Sequence, residues 1–168
     1  MGFAGSVEQN GVSRDLAATL GVNLRADIPV VRYLLVGPLI QFGAWRPQAL
    51  SGADAPSHNY YLDIDLFVRG RIPMELDKIG LSIWGGVPIG LTLDFLGNDT
   101  GAGLDGFGVG WNVGLMAGVG VHFTKKFGMF TEIGWMQHKM SHDNSSGGGS
   151  ADFWMGQGVF NIGFIIGD

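Results

Sequence analysis

With 168 residues, 30 glycines, no cysteine and a net charge of −5, the chain suits one domain, 1–168, and carries no basic cluster, which argues against nucleic acid as a partner. Only 15% of it is charged and its mean hydropathy is positive, so a good part of its surface is expected not to face water. The longest uncharged runs, such as Gly106 to Val121 and Phe153 to Gly167, are interrupted by glycine and fall short of the roughly 18 to 20 apolar residues a spanning helix needs, whereas a spanning barrel is not excluded.

In chain order, alternation predicts a first strand over Gly2–Glu8, then a loop around Gln9, Asn10 and Gly11, where Asn-Gly is a turn signal. The second strand, Asp15–Ala26, sets Leu16, Ala18, Leu20, Val22 and Leu24 against Asp15, Thr19, Gly21, Asn23 and Arg25, and a short turn is expected at Asp27–Pro29. The third, about Val31–Trp45, places Leu34, Val36, Ile40 and Phe42 opposite Tyr33, Gly37, Gln41 and Gly43, with a bulge expected at Pro38. A long loop follows over Arg46–His58. The fourth strand has Tyr60, Leu62, Ile64, Leu66, Val68 and Ile72 on one face and Tyr61, Asp63, Asp65, Phe67, Arg69 and Arg71 on the other.

After a turn over Pro73–Lys78, the fifth strand runs from Ile79 to Phe95, with Trp84, Gly86, Gly90, Thr92 and Asp94 sharing the small or polar face. Gly97–Asp105 is read as a loop. The sixth strand, Gly106–Phe123, splits most cleanly: every odd position is apolar, while six of the nine even ones are glycine. That pattern belongs to a ribbon with an apolar outer face and a crowded inner one, where glycine makes room for Trp84, Glu132 and Met136. Thr124–Lys126 turns the chain into a seventh strand, Phe127 to about Met140. Ser141–Ser150 is read as the last long loop, and Asp152–Ile166 as the eighth strand.

The loops are read as alternating long and short, which in an outer-membrane barrel places the four long ones outside the cell and both termini in the periplasm. Aromatic residues gather toward the strand ends. Trp45, Tyr60, Trp111, Trp135 and Trp154, with Phe95 and Phe107, lie near the long loops, and Tyr33, Phe123, Phe127 and Phe164 near the short ones, as two interfacial girdles would require. The expected fold is all-β, an eight-stranded antiparallel up-and-down transmembrane β-barrel. A soluble lipocalin-like barrel is the rival, and it would have to expose the glycine-rich face to water.

Phe130-Thr-Glu-Ile-Gly-Trp135 has an inward Glu between outward apolar residues, and Gly158-Val-Phe-Asn-Ile-Gly-Phe164 alternates toward the C-terminus. On these motifs and the eight alternating strands, the chain resembles the small eight-stranded outer-membrane barrels: the outer-membrane protein A transmembrane domain and the opacity and Ail-type adhesins. It departs from them in running past the usual terminal aromatic to Ile166, Gly167 and Asp168. The resemblance implies a structural or surface-interaction protein of the bacterial outer membrane. It also implies a monomer whose partners are the lipid bilayer, lipopolysaccharide and an extracellular ligand for the loops. MGFAGSVEQN lacks the basic and apolar regions of a signal peptide, so the mature form is expected here, with Met1 supplied for expression.

Inward charges at Arg25, Asp63, Asp65, Arg69, Arg71, Asp94 and Glu132 are expected to pair as a polar plug, with an ion pathway as the alternative. His138, Ser141 and His142, with Asp143 and Asp152 nearby, are the one constellation with enzyme potential and are similar in kind to the lipid A deacylases. The three-residue spacing from His138 to Ser141 puts the two on opposite faces of a regular strand, so a solvated loop is the ordinary reading and no catalytic residue is expected. The loop acids Asp54, Asp99, Asp105, Asp143 and Asp152 lack calcium-loop spacing, and Gly106-x-Gly-x-Gly has no helix after it, so neither a metal nor another cofactor is expected.

Overall fold

The computed structural model describes residues 2–48, 57–76, 79–97, 104–124, 126–144 and 149–166. They form β1 (Gly2–Gln9), β2 (Val12–Asp15), β3 (Gly21–Arg25), β4 (Ile28–Val31), β5 (Leu34–Trp45), β6 (Asn59–Leu76), β7 (Ile79–Phe95), β8 (Leu104–Thr124), β9 (Phe127–Asn144) and β10 (Ser150–Ile166). Among these residues no helix is long and apolar enough to cross a membrane, which says nothing of strands. The fold is all-β and every pairing is antiparallel, in the order β2-β1-β10-β9-β8-β7-β6-β5-β3, with β4 also on β5.

Ten strands fill eight lanes, because β2, β3 and β4 follow one another along a single lane. β2 pairs with β1, while β3 and β4 both pair with β5, from Gly21↔Gly43 to Ile28↔Val36. The ladder is broken between β2 and β3, and single backbone bonds hold the seam there. Leu16 N–H donates to Gly5 O at 2.8 Å, and Ala17 N–H to Arg46 O at 2.9 Å. The extra residue in this break changes which parity faces out. Leu16 is therefore buried at 6% exposure, not outward as the alternation predicts, while Leu20 and Leu24 stand outside at 78% and 76%. Among the described residues the barrel is not closed below Gly2: β10 and β3 flank the lane of β1 without pairing with each other.

Prolines account for other departures. Pro38 makes no bulge, and β5 runs in unbroken register against β6. The defect appears on the neighbouring lane instead. Ala26 N–H donates to Pro38 O at 3.1 Å, but proline has no N–H to return, and the partner strand breaks at Ala26–Asp27 between β3 and β4. The expected turn at Asp27–Pro29 moves accordingly to Arg32–Tyr33, after β4. Pro73 lies inside β6, which continues to Leu76 and leaves 77–78 between strands. Arg71 N–H points to Tyr33 O, so Pro73, of the same parity, turns its missing donor to the edge of β6 beyond β5, where no ladder bond is lost.

The connections are shorter than expected. Asn10 and Gly11 make a two-residue hairpin turn, with φ of 51° and 76°, so the first connection is not a long loop. Ser141–Asn144 continue β9 and Ser150 already belongs to β10, which leaves only 145–149 where a ten-residue loop was expected. At the other rim the Thr124 hydroxyl accepts from Lys126 and Phe127 N–H, at 3.2 and 3.0 Å, and tightens the β8–β9 turn.

Inside, the glycine face of β8 does what its pattern predicts. A Cβ added at Gly118 would lie 2.7 Å from the Trp84 ring, and one at Gly120 2.9 Å from it. The lumen is filled by two apolar clusters with polar layers around them. One, near the loop end, contains Trp45, Tyr61, Met140, Phe153 and Met155; the other, at mid-height, contains Leu39, Phe67, Met116, Met136 and Val159.

Candidate functional site: the polar lumen

Toward the loop end the lumen holds three carboxylates and two imidazoles. Asp94 Oδ1 accepts the Trp45 indole N–H at 2.8 Å, and its Oδ2 lies 2.9 Å from His142 Nε2. Asp63 Oδ2 lies 3.0 Å from His138 Nε2, and its Oδ1 accepts the Thr92 hydroxyl at 2.6 Å. The Asn112 amide joins this set to the third acid, donating to Thr92 Oγ1 at 3.1 Å and to Asp65 Oδ1 at 2.9 Å, while Gln41 donates to Asp65 Oδ2 at 3.4 Å. Gln157 donates to the Tyr61 hydroxyl at 2.9 Å. Period-two alternation delivers all of these inward, and antiparallel register brings residues distant in sequence to one level.

Below the mid-height apolar cluster the sign reverses. Arg25 Nη1 donates to Glu132 Oε2 at 2.7 Å, Asn161 Nδ2 donates to Glu132 Oε1 at 2.9 Å, and Arg69 pairs with Asp27. Aromatic faces complete the guanidinium surroundings: Arg25 stands 4.4 Å from the Phe130 ring centre, and Arg69 5.0 Å from that of Trp84. Arg71 is half-buried, and its Nε finds no hydrogen-bond partner among the described residues.

Arg25, Asp63, Asp65, Arg69, Asp94 and Glu132 are thus brought to the interior, but not as one salt-bridged set. Asp63, Asp65 and Asp94 are met by His, Thr, Asn, Gln and Trp donors instead of arginine. Sequence reasoning placed Asp27 in a turn and assigned the histidines to a possible catalytic group. Parity, which set Gln41 and Thr92 on the polar faces of their strands, also turns Asn112, His138 and His142 inward, and what it could not give was their pairing with Asp63, Asp65 and Asp94.

The catalytic constellation is not assembled. His138 and His142 are fully buried and bonded to Asp63 and Asp94, whereas Asp152 is exposed on the outer face and pairs across the strands with Ser141. Asp152 Oδ2 is held 2.9 Å from Lys139 Nζ. Asp143 is exposed beside this pair, Asp105 lies within β8, and Asp54 and Asp99 fall outside the described residues. Among the described residues no group of three or more His, Asp or Glu is placed to hold a metal ion.

On the outer wall, Tyr33, Tyr60, Trp111, Phe123, Phe127, Trp135, Trp154 and Phe164 are exposed. Trp111 and Trp154 meet edge to face at 5.9 Å across β9, where Lys139 is in register with both. Phe127 stacks on Phe164 at 5.9 Å at the opposite rim. Two girdle assignments change. Trp45 is buried at 1% exposure, because its parity in β5 is that of Gln41 and its N–H is bound by Asp94. Trp135 stands mid-strand rather than near a loop, since β9 runs on to Asn144. Set against protein-family models and against curated proteins, the chain matches none.

Proposed function

We propose that this chain is a bacterial outer-membrane β-barrel with a side-chain-filled lumen, serving as a structural or surface-interaction protein that meets lipid with its wall and extracellular ligands with its loop end. The observation that carries the reading is inversion. Leu115 and Ile162 stand outward at 66% exposure each, while Asp63, Asp94, His138 and His142 are at 0% inside. Water favours the opposite arrangement, and a hydrocarbon surround favours this one. From Trp111 to Phe123, both outward, β8 advances 12 positions, about 40 Å of strand at about 3.3 Å each and about 30 Å of height at a tilt of about 40°, close to a bilayer core.

The test is heat-modifiable migration on a gel after refolding into detergent, with a folded band expected before boiling. A chain that stays soluble and monomeric in plain buffer would end the membrane reading. As a filled tube it should pass little current in a planar bilayer.

A further inference from the structure

Beyond the mid-height apolar cluster, toward the rim opposite the loop end, hydrogen-bond donors outnumber the groups that can receive them. Arg71 and Trp84 are in register across β6 and β7, and Arg69 is the preceding inward residue of β6, its guanidinium 5.0 Å from the Trp84 ring centre. Among the described residues, Arg69 Nε, Arg71 Nε and Trp84 Nε1 are buried without a hydrogen-bond partner. All are donors only, so none of them can satisfy another.

The two acids of this layer are already engaged. Glu132 accepts from Arg25 with one oxygen and from Asn161 with the other, and Asp27 pairs with Arg69. Among the described residues no carboxylate pairs with Arg71. Three guanidinium groups, Arg25, Arg69 and Arg71, therefore stand with two carboxylates, and one positive charge is left uncompensated beside the aromatic ring of Trp84. A water molecule could accept from these N–H groups but would leave the charge as it was. A carboxylate, with two oxygens and about four lone pairs, accepts from all of them and neutralises it. The layer is also reachable: Arg71 is half-buried, and the next inward positions of β6 toward the rim, Pro73 and Glu75, are exposed.

We propose that this end of the lumen is a binding site for one small monovalent carboxylate, whose oxygens take the Arg71 Nε–H and the Trp84 indole N–H, with Arg69 supplying the third donor from deeper in the lumen. The planar fork of a guanidinium matches a carboxylate and selects it over a halide. A single uncompensated charge selects a monoanion over phosphate. Asp63, Asp65 and Asp94, beyond the apolar cluster, oppose further passage, so the anion enters and leaves by the same rim. The site lies within the wall and makes no demand on what surrounds it.

The test uses the isotope-labelled full chain refolded in non-ionic detergent. Sodium formate, sodium chloride, inorganic phosphate and neutral formamide are titrated separately from low-salt buffer. The readout is the indole N–H resonance of Trp84, assigned by its loss in Trp84→Phe. Formate should give a saturable one-site shift, about tenfold tighter than chloride, and formamide none. Arg71→Met should weaken formate binding by about tenfold or more. Arg32→Met, which removes an exposed arginine at the same end, should leave it unchanged. Trp84→Phe, which keeps a ring over Gly118, should weaken binding by a similar factor when read from the Arg71 Nε–H resonance, so the result does not hang on one variant refolding. A shift that does not saturate, equal or tighter binding of chloride or phosphate, or unchanged binding in either Arg71→Met or Trp84→Phe would overturn the proposal. So would an equal loss in Arg32→Met, which would mark a diffuse field at the rim instead of a site.

Discussion

His138 and Asp63 face each other across the lumen at 3.0 Å, both fully buried, although 75 positions separate them in the chain. The carboxylate also takes the Thr92 hydroxyl, so a single side chain holds β9 and β7 to β6 at this level. Removing it should leave two buried donors without an acceptor. Asp63→Ala is expected to cost about 3 kcal/mol or more in urea unfolding of the refolded barrel. In a double-mutant cycle with His138→Ala the losses should fall short of additive by about 1 kcal/mol or more, and strict additivity would refute a direct bond.

Glu132 accepts from Arg25 and Asn161 together. Glu132→Ala should lower the unfolding midpoint, leaving a buried guanidinium without its acid, and Glu132→Gln should lower it less because an amide oxygen still accepts. An unchanged midpoint in the alanine variant would show that the pair contributes nothing.

A Cβ added at Gly118 would meet the Trp84 ring and the Thr131 carbonyl oxygen, each at 2.7 Å. Gly118→Val should reduce refolding yield and cost about 1 to 3 kcal/mol through overpacking, and Trp84→Ala in the same chain should return part of the loss. If the second change deepens the defect, the glycine is required for some other reason than the indole.

The five tryptophans divide by exposure. In single-tryptophan variants refolded into vesicles of brominated lipid, Trp111, Trp135 and Trp154 should be quenched, with Trp135 responding most to bromines placed deep in the chain. Trp45 and Trp84 should be shielded by the wall. Strong quenching of Trp45 would contradict its place beside Asp94.

Much of the fold was legible because parity is a local property. From Tyr60 to Arg71, from Ile79 to Phe95 and from Phe107 to Phe123 each residue's face can be read from its neighbours, and the structure keeps those faces. What escaped were effects that cross between lanes. Pro38 breaks the strand beside it, at Ala26, twelve residues earlier in the chain, and the frame shift between Leu16 and Leu20 depends on hydrogen bonds to Gly5 and Arg46. The lumen network escaped in part for the same reason. Nothing near His138 in sequence announces Asp63, and only the strand register brings them together.

The division of charge along the lumen has an electrical consequence. Asp63, Asp65 and Asp94 lie toward the loop end of their strands, whereas toward the opposite rim three guanidinium groups, Arg25, Arg69 and Arg71, stand with the two carboxylates Glu132 and Asp27, so the excess of charge changes sign along the tube. A cation drawn in past Asp94 would next meet a layer in which three guanidinium groups outnumber two carboxylates. An anion entering from the far rim would meet three carboxylates. Opposed excess charges in series disfavour both signs, so on the proposed membrane reading, packing loosened enough to admit water would still leave ions a barrier to cross.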